Sequence, residues 1–79
     1  MNEDIIERYQ QTMALIRGRN PEMTYMGDFT QDVDGKYAFR LTCINNGNGK
    51  VNKMVFDYMD NHTDALEDFI FRAQNLYFN

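Results

Sequence analysis

Cys43 and His62 are the only cysteine and the only histidine of this 79-residue chain. A cysteine nucleophile activated by histidine therefore requires these two side chains to meet. Cys43 closes an alternating apolar run that begins at Tyr37, and a thiol on such a face is expected to be buried and unreactive. His62 is expected to lie exposed in the first turn of a helix. The sequence thus predicts no catalytic residues and a protein that is not an enzyme.

A short acidic stretch has some of the residues of a calcium-binding loop, namely Asp28, Asp32, Asp34 and Gly35. If Asp32, Asp34 and Gly35 take loop positions 3, 5 and 6, position 12 falls on Leu41, where the loop requires a bidentate glutamate. The spacing therefore favours a hairpin turn. Because the sequence also has no phosphate-binding glycine loop, dinucleotide motif or CxxC pair, we expect no metal and no cofactor.

The strongest remaining signal is electrostatic. Between Met54 and Phe71 the chain has five carboxylates and no Lys or Arg, whereas all 8 basic and 7 of the 12 acidic residues lie outside this segment. The segment therefore holds a formal charge of −5 and the remainder +1. The five carboxylates are Asp57, Asp60, Asp64, Glu67 and Asp68.

Three of these carboxylates, Asp60, Asp64 and Asp68, recur every four residues. On a helix they form one exposed row at roughly 6 Å spacing, and like charges at that spacing repel. A row of this kind resembles a line of phosphates and suits a basic groove on a partner. The alternative explanation is local, because carboxylates near a helix N-terminus stabilise that helix by capping and by the dipole.

Two aromatic residues, Phe71 and Phe78, lie off the apolar stripe of the same helix, and outward aromatics beside an acidic row suit a protein interface. The predicted partner contacts are therefore Asp57, Asp60, Asp64, Glu67, Asp68 and Phe71.

Two helices must position these residues. Helical spacing of apolar residues predicts a first helix over about residues 3–17, which Gly18 and then Asn20-Pro21 end. The same spacing predicts a second helix over about residues 62–76, with Asn61 or Thr63 as its N-cap.

Three strands are expected between the helices. Alternating apolar residues flank Asp34-Gly35 and predict a hairpin with a type I′ turn, with a bulge at Gly27. A turn over Asn45–Gly49 leads to a third strand over Val51–Met59, in which Met54, Phe56 and Tyr58 share a face.

The element order predicts one α+β domain over residues 1–79, an αβββα two-layer sandwich in which both helices cover one face of an antiparallel meander. Hydrophobic residues make up 43% of the chain, which is typical of a folded domain. A single cysteine in so small a chain favours the reducing cytoplasm, and no apolar run reaches membrane-spanning length.

This order of elements is similar to that of the double-stranded RNA-binding domain. Pro21-x-x-x-Tyr25 followed by Phe39 resembles that family's Pro/Tyr/Phe pattern. Such domains carry lysines at the start of the second helix to hold phosphates, whereas this chain reads NHTDALED there. The resemblance therefore implies the family's fold without RNA binding through this helix.

The chain also resembles the small acidic anti-CRISPR proteins of phages, which implies binding to the basic nucleic-acid site of an effector nuclease. The resemblance rests on MNEDIIERY, INNGNGKVNK and NHTDALEDFI. We therefore expect a phage- or mobile-element-type inhibitor that acts in the host cytosol on a host protein with a basic nucleic-acid-binding site, without direct contact to nucleic acid or membrane.

Two alternatives remain. The chain is either a degenerate RNA-binding-like domain that uses another surface, or a small structural homodimer that pairs through a sheet edge or through Phe71 and Phe78. The basic residues available to the first alternative are Arg17, Arg19, Lys36, Arg40, Lys50 and Lys53.

Overall fold

The computed structural model describes residues 2–77 and has five elements in the predicted order. They are α1 (Glu3–Arg19), β1 (Met23–Gln31), β2 (Tyr37–Asn45), β3 (Val51–Val55) and α2 (His62–Tyr77). The strands form one antiparallel sheet in the order β1-β2-β3. The predicted αβββα fold of the α+β class is confirmed.

Both helices pack on one face of the sheet, over its central strand β2. Phe39, Leu41 and Cys43 of β2 are buried against Ile5, Met13 and Ile16 of α1 and against Leu66, Phe69 and Ile70 of α2. At the centre, the Phe39 ring stacks on Phe69 with centroids 4.1 Å apart, and Tyr9 meets Phe39 edge-on at 5.6 Å. Alternation in β2 and helical spacing in α1 and α2 therefore direct one set of apolar side chains into a shared core.

Helix α1 begins where Asn2 caps it, with the Asn2 side chain accepting a hydrogen bond from Ile5 N at 2.9 Å. The predicted end at residue 17 is wrong, because the helix continues through Gly18 to Arg19. Gly18 does not adopt a positive φ, and the helix ends at Arg19, with Asn20 as its C-cap before Pro21.

The predicted type I′ turn at Asp34-Gly35 is also wrong. Only Gly35 has a positive φ, of 82°, and a type I′ turn needs two such residues. The Asp32 carboxylate instead accepts hydrogen bonds from Asp34 N and Lys36 N, both at 2.9 Å, and Gly35 N donates to Asp32 O at 3.1 Å. Asp32 thus organises a longer turn that ends on a left-handed glycine, and Val33 is fully exposed at its tip.

Gly27 forms no bulge, because it pairs in regular register with Leu41. The residue is small for a different reason: a Cβ atom there would lie 2.4 Å from Phe39 Cζ and 2.7 Å from Tyr9 Oη. Glycine at this position lets two core aromatics approach the strand backbone.

Strand β3 is shorter than predicted, since it ends at Val55 and not at Met59. Phe56 is still buried beside Met54, but Tyr58 lies beyond the strand and is substantially exposed. Met59 returns to the sheet through an isolated bridge to Tyr37, with Tyr37 N donating to Met59 O at 2.8 Å. This bridge holds the start of α2 beside the β1–β2 turn.

Candidate functional site

The structure keeps Cys43 and His62 well apart. His62 packs its ring 4.0 Å from that of Tyr37 and 4.7 Å from that of Phe29, measured between centroids. Cys43 lies six residues from Tyr37 along β2, roughly 20 Å at the rise of a strand. Burial raises the pKa of the Cys43 thiol, which further disfavours the nucleophilic thiolate. These residues therefore form no dyad.

His62 occupies the first position of α2 and is exposed, as predicted. One side of its ring also packs on two aromatic rings. Contact with Phe29 and Tyr37 attaches the start of α2 to the end of β1 and the start of β2. We assign this imidazole a packing role.

Asp60, Asp64 and Asp68 do not form the predicted row along one helix. Helix α2 begins at His62, so Asp60 precedes it, and the Asp60 carboxylate lies 3.8 Å from Lys36 Nζ. Asp64 is in the first turn and accepts a hydrogen bond from Asn61 Nδ2 at 3.1 Å. Only Asp64 and Asp68 share a helical face.

Asp57 and Asp68 are held by an arginine that follows the acidic segment. Arg72 Nε donates to Asp68 at 3.0 Å, and the same guanidinium donates to Asp57. Asp57 N also donates to Asp68 Oδ2 at 3.2 Å, and the Asp68 side chain is only 13% exposed. The neighbouring carboxylates raise the pKa of Arg72, chiefly because Asp68 accepts a hydrogen bond from its guanidinium. This cluster of Asp57, Asp68 and Arg72 ties the end of β3 to α2.

The topology of the fold brings the remaining carboxylates together. Three antiparallel strands separate the helices, so the chain leaves β3 in the direction of β1 and α2 then runs parallel to α1. Arg19 at the end of α1 donates to Tyr77 O at the end of α2, and Tyr9 faces Phe69 midway at 6.1 Å. The two helix N-termini therefore lie at the same end of the molecule.

The β1–β2 turn lies at that end too, since Tyr37 contacts His62 and Lys36 approaches Asp60. We call this region the acidic end. It contains eight carboxylates and only two bases, Arg8 and Lys36, a formal excess of six negative charges. The eight are Glu3, Asp4, Glu7, Asp32, Asp34, Asp60, Asp64 and Glu67.

Opposite the acidic end lie the helix C-termini and the β2–β3 turn. This second region, the basic end, contains Arg17, Arg19, Lys50 and Lys53, with Glu22 as its acidic residue. The remaining two of the six predicted bases lie elsewhere, because Arg40 pairs with Asp28 at 2.9 Å and Lys36 belongs to the acidic end. The chain is therefore polarised along its helices.

Of the predicted contact residues, the structure brings Asp60, Asp64 and Glu67 into the acidic end. Asp57 and Asp68 are engaged by Arg72, and Phe71 projects from α2 with 70% of its surface exposed. Phe78 lies outside the described residues. Sequence reasoning missed five carboxylates of the acidic end. The acidic first turn of α1 and the odd number of strands together indicated them. The five are Glu3, Asp4, Glu7, Asp32 and Asp34.

Residues 2–77 contain no group of three or more His, Cys, Asp or Glu side chains arranged to hold a metal ion. At the acidic end, Asp32 already accepts turn amides and Asp64 an amide of Asn61. Neither helix in this range is long and apolar enough to cross a membrane.

Comparison of the chain with models of protein families, with curated proteins and with solved structures finds no match. The resemblances to RNA-binding domains and to anti-CRISPR proteins therefore stay predictions.

Proposed function

We propose that this protein is a non-enzymatic inhibitor of the phage or mobile-element type, acting in the host cytosol, and that its acidic end occupies the basic nucleic-acid-binding site of a host protein. The observation that carries the proposal is the convergence of eight carboxylates from α1, the β1–β2 turn and the start of α2. A basic groove that attracts phosphates attracts such a surface by the same Coulomb interaction.

The geometry supports Asp60, Asp64 and Glu67 as contacts more strongly than Asp57 and Asp68. Asp60, Asp64 and Glu67 are exposed, whereas Asp57 and Asp68 already accept hydrogen bonds from Arg72. Breaking the Arg72 cluster for a partner would cost its hydrogen bonds. The carboxylates of α1 and of the β1–β2 turn extend the contact surface beyond the segment that the sequence emphasised.

Both helix N-termini also contribute to the field at the acidic end, and in the opposite sense. Each N-terminus carries roughly half a positive charge, so two helices offset about one of the six excess negative charges. The surplus is still strongly negative, and attraction to a basic site should weaken as salt screens it.

Capture of host proteins on the immobilised chain tests the proposal. The variant Glu67→Lys reverses an exposed glutamate at the acidic end, and Glu22→Lys reverses an exposed glutamate at the basic end with the same change in net charge. We expect Glu67→Lys to weaken capture of a nucleic-acid-binding protein by about threefold to tenfold and Glu22→Lys to leave it unchanged. Equal capture by all three chains would rule out the acidic end as the contact.

A second candidate function uses the basic end. Four bases converge there, which suits binding of duplex RNA through phosphates. However, Arg17 donates to Tyr25 O and Arg19 to Tyr77 O, so both guanidinium groups already have carbonyl partners. Filter binding to duplex RNA over a salt series distinguishes the candidates, because binding through the basic end requires detectable affinity at low salt.

A further inference from the structure

Strand β3 forms one edge of the sheet and pairs with β2 alone among the described residues. Asn45 N donates to Lys50 O and Phe56 N donates to Phe39 O, so even-numbered residues of this segment bond to β2. In an antiparallel ladder the alternate residues then direct their N–H and C=O groups away from the neighbour. In β3 these outward groups belong to Val51, Lys53 and Val55.

Exposed apolar surface lies beside this edge. Val51 and Val55 are 52% and 49% exposed on the sheet face opposite the helices. On the helix side, an open groove of about 240 Å³ lies between the end of β3 and the second half of α2. Phe56 and Leu76 contribute to its apolar lining, and Leu76 is 54% exposed. An extended strand beside β3 would supply the missing wall of this groove.

The charges that flank β3 indicate which strand could pair with its free edge. Lys50 precedes β3 and Asp57 follows it, so an antiparallel copy of the same segment brings each Lys50 near the cluster of Asp57, Asp68 and Arg72 of the other copy. That cluster keeps its internal bonds and carries a formal charge of −1, which attracts the lysine. At the scale of the molecule, the same arrangement sets the acidic end of one copy beside the basic end of the other. Parallel pairing would instead bring like ends together, which costs free energy.

We propose that the protein forms a two-fold symmetric dimer in which β3 pairs antiparallel with β3 of a second copy, joining two sheets into one of six strands. The two-fold axis passes near Met54. In this register Lys53 lies opposite Val55 of the other copy, which keeps the two Lys53 ammonium groups from facing each other directly. The interface is isologous, so it closes without forming fibres. It does not depend on the proposed inhibitor function.

Sedimentation velocity from about 1 μM to about 1 mM tests the dimer. We expect a monomer–dimer equilibrium for the wild-type chain. Lys53→Pro removes an outward N–H and should give a monomer, because proline cannot donate to an added strand. Lys53→Ala is the matched control: it removes the same charge, retains the N–H and should still dimerise.

Lys50→Glu provides a second test if Lys53→Pro lowers the melting temperature so far that the chain does not fold. This variant reverses a charge outside β3 and should raise the dimer dissociation constant by about tenfold at low salt. A wild-type chain that stays monomeric at every concentration would overturn the proposal. So would a folded Lys53→Pro variant that dimerises as the wild type does, or a dissociation constant that Lys50→Glu leaves unchanged. Phe71→Ser should have no effect, and loss of the dimer in that variant alone would place the contact on α2 instead.

Discussion

At the scale of single residues, Cys43 is buried in the core, where burial raises the pKa of its thiol, and the alternation of β2 predicted this position. Arg72 engages both Asp57 and Asp68. The bond to Asp68 spans one turn of α2, whereas the bond to Asp57 joins α2 to the end of β3 across 15 residues, so local spacing did not reveal it. The carboxylates of the acidic segment are therefore divided in the structure between the ion-pair cluster of Arg72 and the exposed acidic end.

Gly27 gives a residue-scale prediction about packing. In Gly27→Ala the new methyl group meets Phe39 Cζ and Tyr9 Oη, and core overpacking should lower the free energy of unfolding by about 1–3 kcal/mol. Gly18→Ala is the control, because nothing lies within 4 Å of its Cβ position and alanine favours the helix by up to about 1 kcal/mol. Urea denaturation of both variants measures the difference. A Gly27→Ala chain as stable as the wild type would contradict the close approach.

Asp28 gives a residue-scale prediction about pH. The hydrogen bond from Arg40 lowers the pKa of Asp28, so the pair stabilises the fold above the unfolded pKa of about 3.9. That stabilisation is lost as the pH falls through the lower folded pKa. It is small, because both side chains are partly exposed and salt screens them.

Chemical denaturation at pH 7 and at stepwise lower pH checks the Asp28 prediction. The wild-type chain should exceed Asp28→Asn in stability at neutral pH, and the gap should close below about pH 4. A gap that stayed constant to the lowest pH would show that the charge of Asp28 does not contribute.

At the scale of elements, helices and strands followed from periodicity, whereas their ends depended on side chains that bond to the backbone. The third strand stops at Val55, although the apolar alternation continues to Tyr58. The β1–β2 turn is set by the Asp32 carboxylate and not by Asp34. Side-chain bonds of this kind decide locally between similar turn types. The alternation of apolar residues does not determine which turn forms.

The start of α2 gives an element-scale prediction. The sequence left Asn61 and Thr63 as alternative caps, and the structure selects Asn61, whose side chain accepts from Asp64 N at 2.8 Å. Asn61→Ala should therefore lower the free energy of unfolding by about 1 kcal/mol. Thr63→Ala, as the matched alternative, should cost less. Thermal melts of the two variants decide, and the reverse order would contradict the assigned cap.

At the scale of the whole molecule, the arrangement of charge follows from element order. Because the helices are separated by three antiparallel strands, they run parallel and their acidic first turns come together. The order of elements was predictable from the sequence. Because an odd number of strands separates the helices, this order also brings the two helix N-termini together at the acidic end. The segment from Met54 to Phe71 therefore supplies only part of a surface that α1 and the β1–β2 turn complete.

Competition for a captured host protein tests the central claim most directly. Duplex nucleic acid bound to that protein is titrated with the wild-type chain, with Glu67→Lys and with the control Glu22→Lys. We predict that the wild-type chain and Glu22→Lys displace the nucleic acid equally well, that Glu67→Lys displaces it less effectively, and that rising salt weakens displacement. Simultaneous binding of the chain and the nucleic acid would contradict the claim that the acidic end occupies the nucleic-acid site.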